Sequence, residues 1–399
     1  MESKWKKFLG VAALTFVFTL LLGITAFAAP GKVTGLRQTD AYASSAYFSW
    51  NAVVGNNIRY QVEWSDNKVT WATVTTNGSS PKNGISGCSQ GAVYYVRVAA
   101  KEGYDGELGP WSDILEVVTK PEAVNTSSLK QMNASTSSVT IQWGAVPGAT
   151  QYRIYDYGSG SVGAQRAAVT GTSVTISGLQ PDTLYYFAVI PEKSSASFTA
   201  TASGYYLRTK TVADKVTDIE AQYATKKSVG LRFTRKNNAD GYQIQVYDNK
   251  GKKKVGKLLD TSSSYVTLNK IQASSFYQVK IRSYINISSG KKYSEWVTYH
   301  TANQQEVKLK RSGTSMKLSW KKVTGATNYT IYGKKGKSSG QRKDYKKLGT
   351  VKSTKYTATK IGKAKLKKGT TYRFFVVANK KVKGKTYQSV VAYNYWGTL

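Results

Sequence analysis

One spaced set of aromatic residues recurs four times along the 399-residue chain, at intervals of roughly ninety residues. The sets are Trp50, Tyr60 and Tyr94; Trp143, Tyr152 and Tyr185; Phe233, Tyr242 and Tyr277; and Trp320, Tyr329 and Tyr372. Between these anchors apolar and polar residues alternate, as in YFSW, YQVEW, VTIQW, YRIY, LRF, YQIQVY, KLSW and YTIY. That is the period of strands with one face buried, and after the first 28 residues no amphipathic helical pattern competes with it. The chain is therefore expected to be all-β and built from one unit repeated four times.

A second pattern precedes the last tyrosine of each set. Its fullest copy is Leu179, Pro181, Thr183, Tyr185, Phe187 and Val189. The fourth copy, Leu366, Lys368, Thr370, Tyr372, Phe374 and Val376, lacks the proline. In the third, Ile271, Ala273 and Ser275 lead to Tyr277, and Phe233 replaces the tryptophan; in the first, Cys88, Gln90 and Ala92 lead to Tyr94. These motifs resemble the fibronectin type III family over almost all of the chain beyond residue 28. The resemblance implies four tandem fibronectin type III (immunoglobulin-like) seven-stranded β-sandwiches, with Trp50, Trp143, Phe233 and Trp320 in the cores. Tyr94, Tyr185, Tyr277 and Tyr372 would be corner residues whose hydroxyls tie to backbone just upstream. Module boundaries are expected at 29–120, 121–212, 213–303 and 304–399, with joints too short to give much slack. Such motifs speak for a fold, and this fold hosts many functions.

Residues 1–28 read as a secretory signal peptide: Lys4, Lys6 and Lys7, then an apolar stretch, then Ala26-Phe27-Ala28 as a cleavage site. The stretch is nearly long enough to span a bilayer, so an uncleaved anchor stays open. Cys88 is the only cysteine, which excludes an intramolecular disulfide, and a free cysteine of this kind is expected to be a small core residue. An exported chain without cysteine pairs suits a Gram-positive bacterial exoprotein, secreted or held at the cell wall.

Little here suggests catalysis. The one histidine, His300, is expected to be an ordinary strand residue and offers no multi-histidine metal site. No phosphate loop, nucleophile elbow or HExxH motif occurs, and the acids of the first module fall in turn-like stretches such as SDNK and KEGYDGE. We expect no enzyme, no cofactor, no metal and no small-molecule substrate. By parity Trp64 should be core, the fibronectin type III resemblance implies that Trp111 lies across Arg97, and Trp71 is left open as a ligand contact.

The formal net charge is +36, and it is unevenly placed. Basic and acidic residues number eight and eight in 30–120, six and four in 121–212, sixteen and seven in 213–303, and twenty-five and two in 304–399. Solubility does not explain such a gradient, because the first two modules manage without it. The expected function is a non-catalytic adhesion protein whose basic C-terminal module holds an anionic polymer, such as wall teichoic acid or an anionic glycan, with nucleic acid less favoured. The alternative is a diffusible polypeptide that engages a host protein or receptor.

Strand parity places the expected site. With Tyr372, Phe374 and Val376 inward, Arg373, Phe375 and Val377 face out beside Thr330, Tyr332 and Lys334. This predicts an exposed aromatic patch of Tyr332 and Phe375, ringed by Lys334, Lys335, Lys337, Arg342, Arg373, Lys380, Lys381, Lys383 and Lys385. The insertion GKKGKSSGQRKDYKKLGT between Tyr329 and Tyr372 is read as a mobile loop or a longer hairpin.

Overall fold

The computed structural model describes residues 29–158, 161–225, 227–303, 305–391 and 395–398; the expected signal peptide, 1–28, lies outside them. Alternation becomes strand throughout. In the first unit Arg37–Ala41, Ser45–Ser49 and Lys82–Ser86 form a three-stranded antiparallel sheet. It faces a four-stranded sheet ordered Ala72–Gly78, Ile58–Ser65, Val93–Glu102, Leu115–Val118. Inward residues of both sheets make the core: Phe48 and Trp50 from one, Tyr60, Val62, Val96 and Val98 from the other. Cys88 is buried in the same cluster, as expected, and burial pushes its thiol pKa up.

The same two-sheet plan follows three more times. In these units the long corner strands Leu184–Ser194, Phe276–Ile287 and Thr371–Val382 each pair with a last strand broken in two. The break has a hydrogen-bond logic. Ser294 Oγ accepts the N–H of Ser283 at 2.9 Å, Ser389 Oγ that of Ala378 at 3.0 Å, and in the first unit Ser112 Oγ that of Val98 at 3.0 Å. In the second unit Pro191 faces the break; it has no N–H to satisfy, and Ala202 stands where a serine would.

Each unit is pinned by two tyrosine hydroxyls. The corner tyrosines Tyr94, Tyr185, Tyr277 and Tyr372 accept the backbone N–H of Ser89, Gln180, Gln272 and Lys367 at 2.7, 2.7, 3.1 and 2.8 Å. Every donor lies five residues upstream, which is the tie the resemblance implied. A second bond recurs that the sequence did not announce: Tyr60, Tyr152, Tyr242 and Tyr329 accept from Val53, Val146, Lys236 and Val323 at 3.0, 2.8, 2.7 and 2.8 Å. Their rings meet the core aromatic edge-on, at 5.2 Å for Trp50, 5.3 Å for Trp143, 4.8 Å for Phe233 and 5.4 Å for Trp320. Burying a tyrosine is favourable only if its hydroxyl finds a partner, so each ring joins a loop to the core.

Successive units touch through side chains. Phe198 and Ala200 of the second unit pack on Ala41 and Val118 of the first, and Lys210 pairs with Asp240 across the next joint. Between the third and fourth units the contact reaches the cores: Phe276 is buried in the fourth unit's cluster, Val390 in the third's. Backbone bonds from Phe276 to Thr324 and from Val390 to Ala302 cross the same joint. Among the described residues no helix is long and apolar enough to cross a membrane, and no group of His, Cys, Asp or Glu could hold a metal ion.

Candidate anion-binding surface

The fourth unit brings most of the sequence-expected residues to its larger sheet, in the register parity requires. Lys334 is opposite Arg373, Tyr332 opposite Phe375 and Thr330 opposite Val377. The expected exposed aromatic patch, however, is not there. Phe375 is 2% exposed and Val377 0%. The insertion folds back on them: a 3-10 turn, Arg342–Asp344, delivers Tyr345, whose ring meets Phe375 edge-on at 4.9 Å while Tyr332 stacks on it at 4.8 Å. Tyr345 is itself buried and its hydroxyl donates to the Ser339 carbonyl at 2.6 Å. Parity correctly named the outward face; it could not show that Tyr345 would cover it with a second small core. The insertion is thus an ordered plug.

The plug also occupies part of the charge. The Nε of Arg373 donates to the Lys337 carbonyl. Arg342 lies over the Tyr332 ring at 5.2 Å and donates to Gln388 at 2.8 Å, and Lys334 sits 5.4 Å from the Tyr345 ring. Lys335, Lys337, Lys381, Lys383 and Lys385 are exposed. Lys383 and Gly384 form a two-residue hairpin turn, both with positive φ, 46° and 79°, and Lys385 follows it, paired with Val382.

Lys380 departs from the group. Its ammonium turns to the joint, donating to the Asn249 side chain of the third unit, and burial lowers its pKa. His300 lies at the same joint, 6% exposed, its ring 4.8 Å from that of Tyr387 and its Nδ1 without a hydrogen-bond partner. Burial, helped by the Lys380 charge, lowers its pKa to about 4, so it is neutral at ordinary pH.

Elsewhere Arg97 lies between two rings, 4.2 Å from Trp71 and 4.3 Å from Trp111, and pairs with Glu63 at 2.7 Å. Trp71 is therefore engaged inside the protein. Arg282 repeats the arrangement between Tyr293 and Trp296 at 3.6 and 4.4 Å. Trp64 is partly buried against Tyr94 at 5.3 Å.

No protein-family profile matches the chain. A segment of 190 residues is 30% identical to chitinase A1 of Niallia circulans, covering 45% of this chain and 26% of that protein. Human receptor-type tyrosine-protein phosphatase H is 25% identical over 396 residues, covering 94% of this chain and 34% of its own length. The chain thus spans about a quarter to a third of these curated relatives. Among solved structures, the FN1-FN3 domains of chicken CNTN1 align at 16% identity and a TM-score of 0.27, over 68% of this chain and 98% of that one. A two-domain fibronectin type III segment of chicken tenascin gives 16% and 0.28, over 46% and 100%. By its strand order and its repeated tyrosine corner, the chain has the fold of tandem fibronectin type III β-sandwiches.

Proposed function

We propose that the chain is a non-catalytic, exported binding protein whose fourth unit holds an anionic polymer of the cell envelope or its surroundings, while the first two units serve as a neutral adhesion or spacer surface. One observation carries the reading: on four copies of a single scaffold, only the last combines twenty-five basic residues with two acids. Among the described residues, the ion pairs fall in the first three units and at the joint between the second and third, so the fourth unit's cations are not neutralised internally. Self-repulsion of that density destabilises a small sandwich, and an external polyanion offsets it. Lys335, Lys337, Lys381 and Lys383 are exposed and available to contribute, while Lys385 lies 5.3 Å from the Tyr387 ring.

The attraction is Coulombic and follows counterion release. The full chain should be retained on an immobilised polyanion at about 0.05 M salt and leave it by about 0.2 M. If neither poly(glycerol phosphate), heparin nor single-stranded DNA retains it at the lower salt, the reading fails. A second reading, a diffusible polypeptide engaging a host protein, draws on the second unit. There Tyr186, Tyr205 and Tyr206 are exposed, and Tyr157 stacks on Tyr206 at 4.6 Å; tyrosine is enriched in protein interfaces. Loss of host-cell binding in Tyr206→Ser, with polymer retention intact, would favour it.

A further inference from the structure

The smaller sheet of the fourth unit carries a feature that the strand patterns alone do not single out. Its strands are Val307–Ser312, Ser315–Trp320 and Lys355–Ala358, with Ser315–Trp320 in the centre. Leu309, Met316, Leu318, Trp320, Tyr356 and Ala358 pack inward. The register then places two rows on the outer face: Lys308, Ser319 and Lys355 in one, Lys310, Lys317 and Thr357 in the other. All four lysines are exposed, and the ion pairs among the described residues involve none of their ammonium groups.

The other units show what these positions ordinarily hold. In the second the rows read Lys130, Gln142, Ser173 and Asn133, Thr140, Thr175, with the two threonine hydroxyls bonded at 2.8 Å. In the third they read Glu220, Arg232, Tyr265 and Tyr223, Gly230, Thr267, with Tyr223 bonded to Thr267 at 2.7 Å. In the first they read Arg37, Ser49, Lys82 and Asp40, Tyr47, Gly84. On these small-sheet faces, among the described residues, only the fourth unit sets two like charges directly opposite each other, Lys310 against Lys317, an arrangement that destabilises a sheet. Protection against edge pairing explains charge on an outer strand, but Lys317 is on the central strand, where no edge needs protecting.

We propose that this flat lysine ladder is the principal contact face for the polymer, and that the polymer is an acyclic phosphodiester chain of the poly(glycerol phosphate) type. The proposal rests on the polymer-binding reading above. The lysines are rooted about 6.8 Å apart along a strand, as Lys308 and Lys310 are, and about 4.8 Å apart across strands, as Lys310 and Lys317 are, with Ser319 and Thr357 among them as further donors. Among the described residues no aromatic stands in its two rows for a base or a sugar ring to stack on, which disfavours single-stranded nucleic acid and glycans. No arginine shares it either, so it lacks the planar fork that orients a carboxylate or a rigid ligand. Separate point charges on a flat sheet suit a flexible chain of singly charged phosphates.

The test compares two variants of the full chain: K308Q/K310Q/K317Q/K355Q and a control, K321Q/K322Q/K363Q/K368Q, that removes equal charge from the same unit. Binding to poly(glycerol phosphate) is measured across a salt series, with heparin and poly(dT) as competitors. The ladder variant should lose at least about tenfold in affinity at about 0.05 M salt, and its salt slope should fall by about 3; the control should lose less than about threefold. The melting temperature of the ladder variant should equal or exceed that of the parent, which separates lost binding from lost folding. Equal losses in both variants would overturn the ladder and leave a diffuse basic surface, with the functional reading intact. Preference for heparin or poly(dT) would overturn the polymer assigned. Absence of binding by the parent chain to all three would bring down the functional reading itself.

Discussion

The second and fourth units are the same object built for different surroundings. Both have a three-stranded sheet against a larger one, a corner tyrosine bonded to backbone five residues upstream, and a tryptophan edge-on to a second tyrosine. They differ where the core is indifferent. The outer face of the small sheet holds Thr140 bonded to Thr175 in one and Lys317 opposite Lys310 in the other. The larger sheet's outer face carries exposed tyrosines in the second unit; in the fourth, Tyr345 covers it and lysines surround it. The scaffold is held by inward residues and a few buried hydroxyls, so outward positions are free to be set by what the protein meets.

That comparison breaks if the shared interior is not equally important in both units. Trp143→Ala and Trp320→Ala should each cost about 3–5 kcal/mol, read by hydrogen exchange in the strands Ser138–Gln142 and Ser315–Trp320. A cost confined to one unit would mean that the two cores are not equivalent.

A smaller effect concerns the joint that places the fourth unit. His300 is buried neutral, with a folded pKa of about 4 against about 6.5 when unfolded. Because the folded value is depressed, its favourable state is fully present above about pH 6.5. Stability is lost as pH falls through the window towards 4, by about 2–3 kcal/mol in all. Stability measured from pH 7 to 4 should therefore decline with a component that His300→Gln removes. The joint between the first and second units has no histidine to produce it.

Smaller still are the corner hydroxyls. Tyr185→Phe and Tyr372→Phe each strand one backbone N–H, at Gln180 and Lys367, and should cost about 1–2 kcal/mol in urea unfolding. The smallest effect sharpens the surface half of the comparison: Lys310→Thr with Lys317→Thr should stabilise the fourth unit by about 0.2–1 kcal/mol while weakening polymer binding. Lys383→Asn, in the turn that demands positive φ, should stabilise by a similar amount with a smaller loss of binding than the ladder pair, because asparagine tolerates the left-handed region better than lysine.

The interior was legible in the sequence and the surface less so, for a physical reason. Spacing of Trp143, Tyr152 and Tyr185 reflects strand period and core geometry, which any chain with this fold must satisfy. The parity of Arg373, Phe375 and Val377 was equally readable. That Tyr345 returns over them was not, because covering an outward face depends on how an eighteen-residue insertion closes, and its Gly/Ser content gave no period to follow. The lysine ladder stayed hidden for another reason: Lys308, Lys317 and Lys355 come from three strands, and only their register makes them neighbours. Lys380 was misplaced with the solvent-facing group because nothing local foretells its turn into the joint with Asn249.

Lysine reactivity in the full chain, with and without poly(glycerol phosphate), tests the central claim most directly. Acetylation read by mass spectrometry at low salt should show Lys308, Lys310, Lys317 and Lys355 shielded by the polymer, while Lys82 and Lys130, exposed on the small sheets of the first and second units, react as in the free protein. Shielding spread evenly over all six, or confined to the first two units, would contradict it.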